Sequence, residues 1–271
     1  MKRTLYLSII SISFFASSCT RYLFPTTAGN DVVYKPKPMV ADSIKSMVNI
    51  TGGISGADRY ADDGSVTLGY LSVNRGHTYK DFNFSYGIFG YHGKVAKTYI
   101  PESSINSNYV HLPTFNKSAS GLGFHTSIGY QTTSNRGNTD FRIINWENSV
   151  TKEFGDYLKY REDLYGDLTY KNLLVSRNKI LWTTGISSEI IFHPRKNKAI
   201  KHAVKLFIGG SPNLERSFDT KIKVDKNPDN FSETSRRNFQ FTYFFAFRKF
   251  NLIAQTDFSH FSSSFGLGYS L

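Results

Sequence analysis

Near the end of the chain, His260 and Ser262 are the two residues whose types and spacing favour acid–base and nucleophilic chemistry. Residues two apart on a β-strand point to the same face, so the imidazole could accept the serine proton as the hydroxyl attacks an ester. Such a pair needs an acidic group to orient the histidine, and no acid follows Asp257 in the chain. The sequence therefore favours a protein that is not an enzyme.

The His260-Phe261-Ser262 stretch resembles the His-x-Ser pair of outer-membrane lipid A deacylases. The resemblance implies an alternative function, a lipid A-modifying esterase with His260 as base and Ser262 as nucleophile. The other histidines are scattered without metal-ligand spacing, and the chain has a single cysteine. We therefore expect no metal and no cofactor.

The only cysteine, Cys19, closes a segment with the layout of a bacterial export signal. Lys2 and Arg3 are positively charged, an apolar run follows from Leu5 to Phe15, and the residues at 16–18 are small. The run is much shorter than the ~20 residues that cross a bilayer as a helix. A secretory signal that is cut before Cys19 without lipidation is the alternative.

The residues around Cys19 resemble the lipobox of bacterial lipoproteins, with Ala16 where Leu is usual and Ser18 where Gly or Ala is usual. The resemblance implies that the signal peptide, residues 1–18, is removed and that Cys19 becomes an acylated first residue. Thr20 follows the cysteine in place of an acid. In such lipoproteins this implies delivery to the outer membrane without a surface-export tag.

The stretch from Thr20 to Ser43 contains Pro25, Pro36 and Pro38 and has no sustained helical or strand period. Such a stretch predicts an extended linker. We expect residues 19–45 to form a lipidated tether at the periplasmic rim of the following domain. The tether and the long loops are the expected contact sites for another envelope protein.

The chain carries 33 Lys+Arg against 21 Asp+Glu, a formal net charge of +12. The charges are spread along the chain, whereas nucleic-acid binding needs a clustered basic surface, so no nucleic-acid partner is expected. One cluster, made of Arg195, Lys196, Lys198 and Lys201, predicts contact with outer-membrane lipids or lipopolysaccharide phosphates. A solvated turn is the alternative.

From residue 46 onward, stretches of about ten residues alternate between apolar and small or polar side chains. Clear cases are Phe82–Ile88, Ile180–Phe192 and Phe239–Phe247. Strands of this length with one apolar face are typical of transmembrane barrels. The final alternation, Phe265–Leu271, resembles the C-terminal signal of outer-membrane barrels.

We therefore predict an all-β fold, an antiparallel up-and-down β-barrel of about ten strands within a range of eight to twelve. One short helix is expected within Val150–Tyr165, and the barrel domain is expected to span 46–271. A lipid-anchored soluble β-sandwich that binds a partner is the alternative, because alternation with one buried face is also its pattern.

The N-terminal layout resembles lipoproteins of the Bacteroidota type, with Cys19, a tether containing Tyr34-Lys35-Pro36 and a first strand with Gly52-Gly53. The resemblance implies a lipid-anchored, membrane-embedded barrel in the cell outer membrane. The function expected for it is a non-enzymatic structural or accessory role in an envelope protein assembly. A narrow pore is a further alternative.

Overall fold

A computed structural model describes residues 21–29, 31–38, 45–60, 64–98, 112–134, 138–170, 173–194, 199–219 and 237–271. Ten strands form one closed barrel in which every neighbouring pair is antiparallel. Strands that are consecutive around the barrel are consecutive in the chain, and the last pairs with the first. The predicted up-and-down barrel is confirmed, and the soluble β-sandwich is wrong.

The barrel strands are β2 (Ser46–Tyr60), β3 (Gly64–Tyr79), β4 (Phe82–Lys97), β5 (Phe115–Thr133), β6 (Thr139–Phe154), β8 (Ile180–Phe192), β9 (Ile200–Gly210), β10 (Arg237–Phe247), β11 (Phe250–Asp257) and β12 (Ser262–Ser270). Outside the barrel, β1 (Arg21–Leu23) pairs in parallel with β7 (Leu173–Val175). One α-helix, α1, spans Asp156–Leu164, and short 3-10 turns cover Leu168–Tyr170 and Glu215–Ser217.

Because neighbouring strands are antiparallel, the connections alternate between two ends of the barrel. One end, the short-turn end, includes the two-residue turns Lys80-Asp81 and Arg248-Lys249. Lys80 and Arg248 have φ of 49° and 56°, the left-handed backbone that tight hairpin turns require. The opposite end, the long-loop end, carries the connections 98–114, 155–179 and 211–236.

The outward side chains of the barrel are largely apolar, and many inward ones are polar. On β4, Phe82, Phe84 and Ile88 are exposed while Asn83 and Ser85 are buried. Exposed apolar side chains recur on the other barrel strands, and buried Asn, Ser, Thr, Gln and charged side chains face the lumen. This is the reverse of a water-soluble barrel, and it is the polarity of a strand wall surrounded by lipid.

The helix is present, but it is shorter than the sequence pattern indicates. Val150–Phe154 completes β6, with Val150 outward and Glu153 inward, and α1 begins only after Gly155. Strand pairing with β5 and β8 therefore prevails over the helical spacing of these residues. No helix among the described residues is long and apolar enough to cross a membrane.

Phe124, at the middle of the outward face of β5, tests the lipid-facing surface. Phe124→Arg should lower the free energy of unfolding of the barrel in lipid vesicles by about 2–4 kcal/mol, because a charge would enter hydrocarbon. Urea titration measures it. Phe124→Leu is the matched control and should stay close to the wild type; equal losses in both variants would contradict a lipid-facing wall.

Candidate functional site

The proline-containing stretch before β2 lies inside the barrel. Residues 25–29 and 31–38 are all buried, and most of their hydrogen bonds go to inward side chains of the barrel wall. We call these two ranges the lumen segment. The expectation of an extended tether at the periplasmic rim is wrong for these residues. Polar and charged side chains of the wall form the hydrogen bonds with the segment that water would form with an exposed tether.

The lumen segment enters at the long-loop end and leaves at the short-turn end. Arg21–Leu23 pairs with β7, in the connection between β6 and β8. At the other end, the Pro38 carbonyl accepts a hydrogen bond of 2.7 Å from Thr78 Oγ1, next to the turn after β3. The chain then begins β2 at Ser46, on the same rim. The segment therefore crosses the length of the lumen.

At the long-loop end, Glu153 joins the segment to α1. The Thr26 amide and hydroxyl both donate to Glu153 Oε2, at 2.7 and 2.9 Å. Arg161 of α1 pairs with Glu153 Oε1 at 2.7 Å. Tyr157 donates to the Phe24 carbonyl at 3.3 Å, and burial raises the pKa of Tyr157, so its hydroxyl keeps the proton it donates. The helix thus closes the lumen over the incoming chain.

In the middle of the lumen, Glu147 lies between two lysines. Lys205 of the wall is 2.6 Å from Glu147 Oε1, and Lys35 of the segment is 3.6 Å from Oε2. Ser187 donates a further hydrogen bond to this carboxylate. All three charged side chains are almost fully buried. One wall carboxylate is therefore shared between a cation of the wall and a cation of the segment.

Towards the short-turn end, Lys37 of the segment reaches a polar pocket in the wall. Its ammonium donates to Asn83 at 2.6 Å, Ser127 at 2.8 Å and Asn145 at 3.3 Å. These three acceptors belong to three neighbouring strands, β4, β5 and β6. They use all three ammonium donors, so the charge is buried with its hydrogen bonds satisfied.

A further buried ion pair adjoins this pocket. Arg142 Nη1 lies 2.6 Å from Glu189 Oε2, and Arg142 Nη2 donates to the carbonyls of Lys37 and Pro38 at 3.1 Å each. The Tyr34 hydroxyl donates to the same Glu189 carboxylate. Both residues of this ion pair, Arg142 and Glu189, therefore contact the lumen segment.

The backbone of the segment is also recognised by the wall. Extended chain without a sheet partner leaves its carbonyls in need of donors. Besides the carbonyls of Lys37 and Pro38, wall side chains donate to four further carbonyls of the segment: Gln240 to Gly29 at 2.6 Å, Ser149 to Asp31 at 2.7 Å, Gln255 to Val32 at 3.1 Å and Asn74 to Pro36 at 3.2 Å.

Near Thr27 and Tyr34, the segment packs closely against the wall. A cavity of about 20 Å³ lies between Thr27, Tyr34 and the wall, room for about one water. The rings of Phe89 and Tyr91 fill the lumen nearby by lying against Gly123 and Gly121, where any Cβ would collide with them. Wall and segment together thus occupy this part of the lumen.

The residues predicted for ester hydrolysis are only partly brought together. Asp257 Oδ1 accepts from the His260 amide at 2.7 Å and lies 3.1 Å from His260 Nδ1, so the acid that precedes the histidine does orient it. His260 Nε2 and Ser262 Oγ are both buried, and neither has a hydrogen-bond partner among the described residues. The imidazole nitrogen of His260 and the hydroxyl of Ser262, which a base and a nucleophile would link by a hydrogen bond, are therefore not hydrogen-bonded to each other.

The remaining predicted site residues lie elsewhere. Cys19, Arg195, Lys196 and Lys198 are outside the described residues, and Lys201 lies on β9 beside the short-turn end. Within the described ranges, no group of three His, Cys, Asp or Glu side chains could hold a metal ion.

Sequence reasoning missed the charged residues that hold the lumen segment. Arg142, Glu147, Glu189 and Lys205 sit at inward positions of strands, where charges are buried. Their signal in the sequence is a charge at an alternate position of an otherwise apolar or small-residue strand. Lys35 and Lys37, the cations of the segment, lie in a stretch without strand alternation, so the sequence gives no sign that they are buried.

No protein-family model and no curated protein sequence matches this chain. Among solved structures, it is similar to the translocator domain of the autotransporter NalP from Neisseria meningitidis, with 7% identity, 85% of this chain and 90% of that chain covered, and a TM-score of 0.38. The transport unit of AIDA-I from Escherichia coli matches with 11% identity, coverage of 90% and 94%, and a TM-score of 0.38. Since these scores are low, nothing about function is concluded from them.

Glu147 is the test of the lumen contacts. Glu147→Gln leaves Lys35 and Lys205 buried without their carboxylate, so the free energy of unfolding should fall by about 3–5 kcal/mol. Amide hydrogen exchange at 31–38 should accelerate with it. Glu162→Gln, which breaks the partly exposed pair with Lys179 at 2.8 Å, is the control and should cost under about 1 kcal/mol. Unchanged exchange at 31–38 in Glu147→Gln would contradict the contact.

Proposed function

We propose that this chain is an outer-membrane lipoprotein barrel, sealed by its own lumen segment, with a non-enzymatic structural or accessory role in an envelope assembly. The observation that carries the proposal is the burial of 25–29 and 31–38 in the lumen, with the ammonium of Lys37 and the hydroxyl of Tyr34 bonded to the wall. A lumen occupied in this way is unsuited to conduction, so the narrow pore is disfavoured.

The choice of membrane and orientation follows from the two ends. Closed barrels with apolar outer walls, short turns at one end and long loops at the other are the form that spans bacterial outer membranes. In such barrels the short turns face the periplasm and the long loops face outward. On this orientation, Arg21–Leu23 lies on the outer side of the membrane.

The orientation changes what a lipid on Cys19 would do. Cys19 is two residues before Arg21, and two residues of chain reach at most about 7 Å. An acyl anchor there would enter the outer leaflet beside the long loops, whereas the sequence predicts a lipidated tether at the periplasmic rim. The barrel would then hold the chain in the membrane by itself, and the anchor would fix its N-terminus at the outer face.

The outer face is also where the proposal places partner binding. There α1, the β1–β7 pair and the 3-10 turn at Glu215–Ser217 cover the lumen, with a buried cluster of Ala28, Leu181, Leu214 and Phe218 beneath them. Elements held rigidly at the ends of a barrel are the usual carriers of binding sites. We therefore expect an envelope partner to contact this face.

Orientation is tested by surface labelling of single cysteines. In a Cys19→Ala background, Leu168→Cys, in the exposed 3-10 turn of the connection 155–179, should react with a membrane-impermeant maleimide in intact cells. Lys80→Cys, in the exposed turn between β3 and β4, is the matched control and should react only after permeabilisation. The reverse pattern would overturn the proposed orientation.

Lipidation is tested in the same strains. Wild type should incorporate radioactive palmitate, and Cys19→Ala should not. Both proteins should stay in the outer membrane after carbonate washing, because the strand wall spans it. Release of Cys19→Ala into the soluble fraction would contradict an embedded barrel.

Lipid A hydrolysis at His260 and Ser262 is the second candidate, favoured by the contact between Asp257 and His260. Against it, Ser262 is fully buried and its hydroxyl is not bonded to the histidine. We expect Ser262→Ala to leave the cellular lipid A profile unchanged by mass spectrometry, with the barrel still folded. Accumulation of a fully acylated lipid A species in this variant alone would instead establish the esterase.

A further inference from the structure

Lys152 is a cation in an apolar row of the outer wall. Its outward neighbours across the sheet are Leu122 on β5 and Ile180 on β8. The side chain is exposed, and its ammonium has no hydrogen bond or ion pair within the part of the chain that the structure describes. A charge facing lipid is costly unless it reaches the headgroup region or meets an opposite charge. An anionic partner would therefore stabilise Lys152 at this position.

An open groove of about 1070 Å³ lies beside Lys152 on the outer wall. Outward glycines on neighbouring strands, Gly69 and Gly90, form its floor, and Leu71 and Leu122 stand on either side. At Gly69 an added Cβ would meet nothing closer than 3.8 Å. The groove is apolar and wide enough to take flexible hydrocarbon chains.

The groove has a polar margin on the side of the long-loop end. His92 and Lys94 follow Gly90 on the outward face of β4, and both are exposed. His92 Nδ1 lies 2.7 Å from Ser120 Oγ, which orients the ring and leaves its other nitrogen for a ligand. Among the described residues, the carboxylate on this margin is Asp156, which accepts a hydrogen bond from Ser118 one row further out, at 2.7 Å. The two lysines, Lys94 and Lys152, therefore outnumber this carboxylate.

We infer that this groove binds a phosphate-bearing glycolipid of the outer leaflet, of the lipid A class. Its acyl chains would lie over Gly69 and Gly90, and a phosphate would meet Lys152 and His92. Three observations carry the inference: the apolar groove, the cations at its margin, and the position of that margin at the long-loop end. The inference rests on the proposed outer-membrane orientation, in which this end faces the leaflet that holds such lipids.

The same orientation disfavours the basic cluster expected from the sequence as the lipopolysaccharide contact. That cluster lies in and beside the turn from β8 to β9, and Lys201 marks its place near the short-turn end. A contact there would face the periplasmic leaflet. The groove beside Lys152 takes its place as the predicted site for the outer-leaflet lipid.

Binding is tested with the full-length barrel purified in detergent, using native mass spectrometry titrations of lipid A, dephosphorylated lipid A and phosphatidylglycerol. Lys152→Gln should weaken lipid A binding about tenfold, the loss expected for one charged hydrogen bond. Removing the lipid phosphates should weaken wild-type binding and should add little to the loss in Lys152→Gln. Lys249→Gln, at the short-turn end, is the matched control and should bind like the wild type.

A second variant tests the groove without altering its charge. Gly90→Leu should fill the floor and weaken lipid A binding, with the barrel still retained in carbonate-washed membranes. Unchanged lipid A affinity in both Lys152→Gln and Gly90→Leu, equal affinity for phosphatidylglycerol, or cross-linking of two copies through Gly90→Cys would each overturn the inference. Loss of wild-type membrane retention would instead overturn the proposed function, so the two failures are distinguishable.

Discussion

The structure depends on the need to neutralise charges that a lipid-facing barrel turns inward. Hydrocarbon outside the wall forces polar side chains into the lumen, where an unpaired charge is costly. Three carboxylates face that interior: Glu147, Glu153 and Glu189. Each contacts the lumen segment on one side and a cation of the wall or of α1 on the other. The segment is thus part of the folded core rather than an appendage to it.

From this constraint follows the course of the N-terminal chain. A segment that supplies Thr26 near one end and Lys37 near the other must lie along the lumen in one direction. That direction brings Arg21–Leu23 to the long-loop end and delivers β2 to the short-turn end. Sealing of the barrel and the placement of Arg21–Leu23 at its long-loop end are then two consequences of one set of contacts.

The barrel could be predicted from sequence because its signal is local. Alternation along Phe82–Ile88 or Phe239–Phe247 identifies both a strand and its lipid-facing side, and antiparallel closure then follows from chain order. The sequence predicts the helix but places its start too early. Val150–Phe154 fits both the helical and the strand period, and pairing with β5 makes it part of β6. Lipidation at Cys19 stays a prediction.

The lumen segment could not be predicted because its partners are distant in the chain. The prolines at 25, 36 and 38 indicate extended backbone. The local sequence pattern is the same whether such backbone lies in water or in a polar lumen. The distinguishing signal is long-range: Lys35 and Lys37 match Glu147 and the amides of Asn83 and Asn145 only once the barrel is closed. The contact between His260 and Asp257 is by contrast local, three residues apart, and depends on the turn between β11 and β12.

The most direct measurement of the central claim is disulfide formation between the lumen segment and the wall, in a Cys19→Ala background. Asp31→Cys with Ser149→Cys, and Pro38→Cys with Thr78→Cys, join positions in hydrogen-bond contact and should cross-link on mild oxidation in membranes. The mismatched pair Asp31→Cys with Thr78→Cys should not. Cross-linking of both matched pairs alone is the result expected for a segment that crosses the lumen from the long-loop end. Absence of both matched cross-links in folded barrels would contradict it.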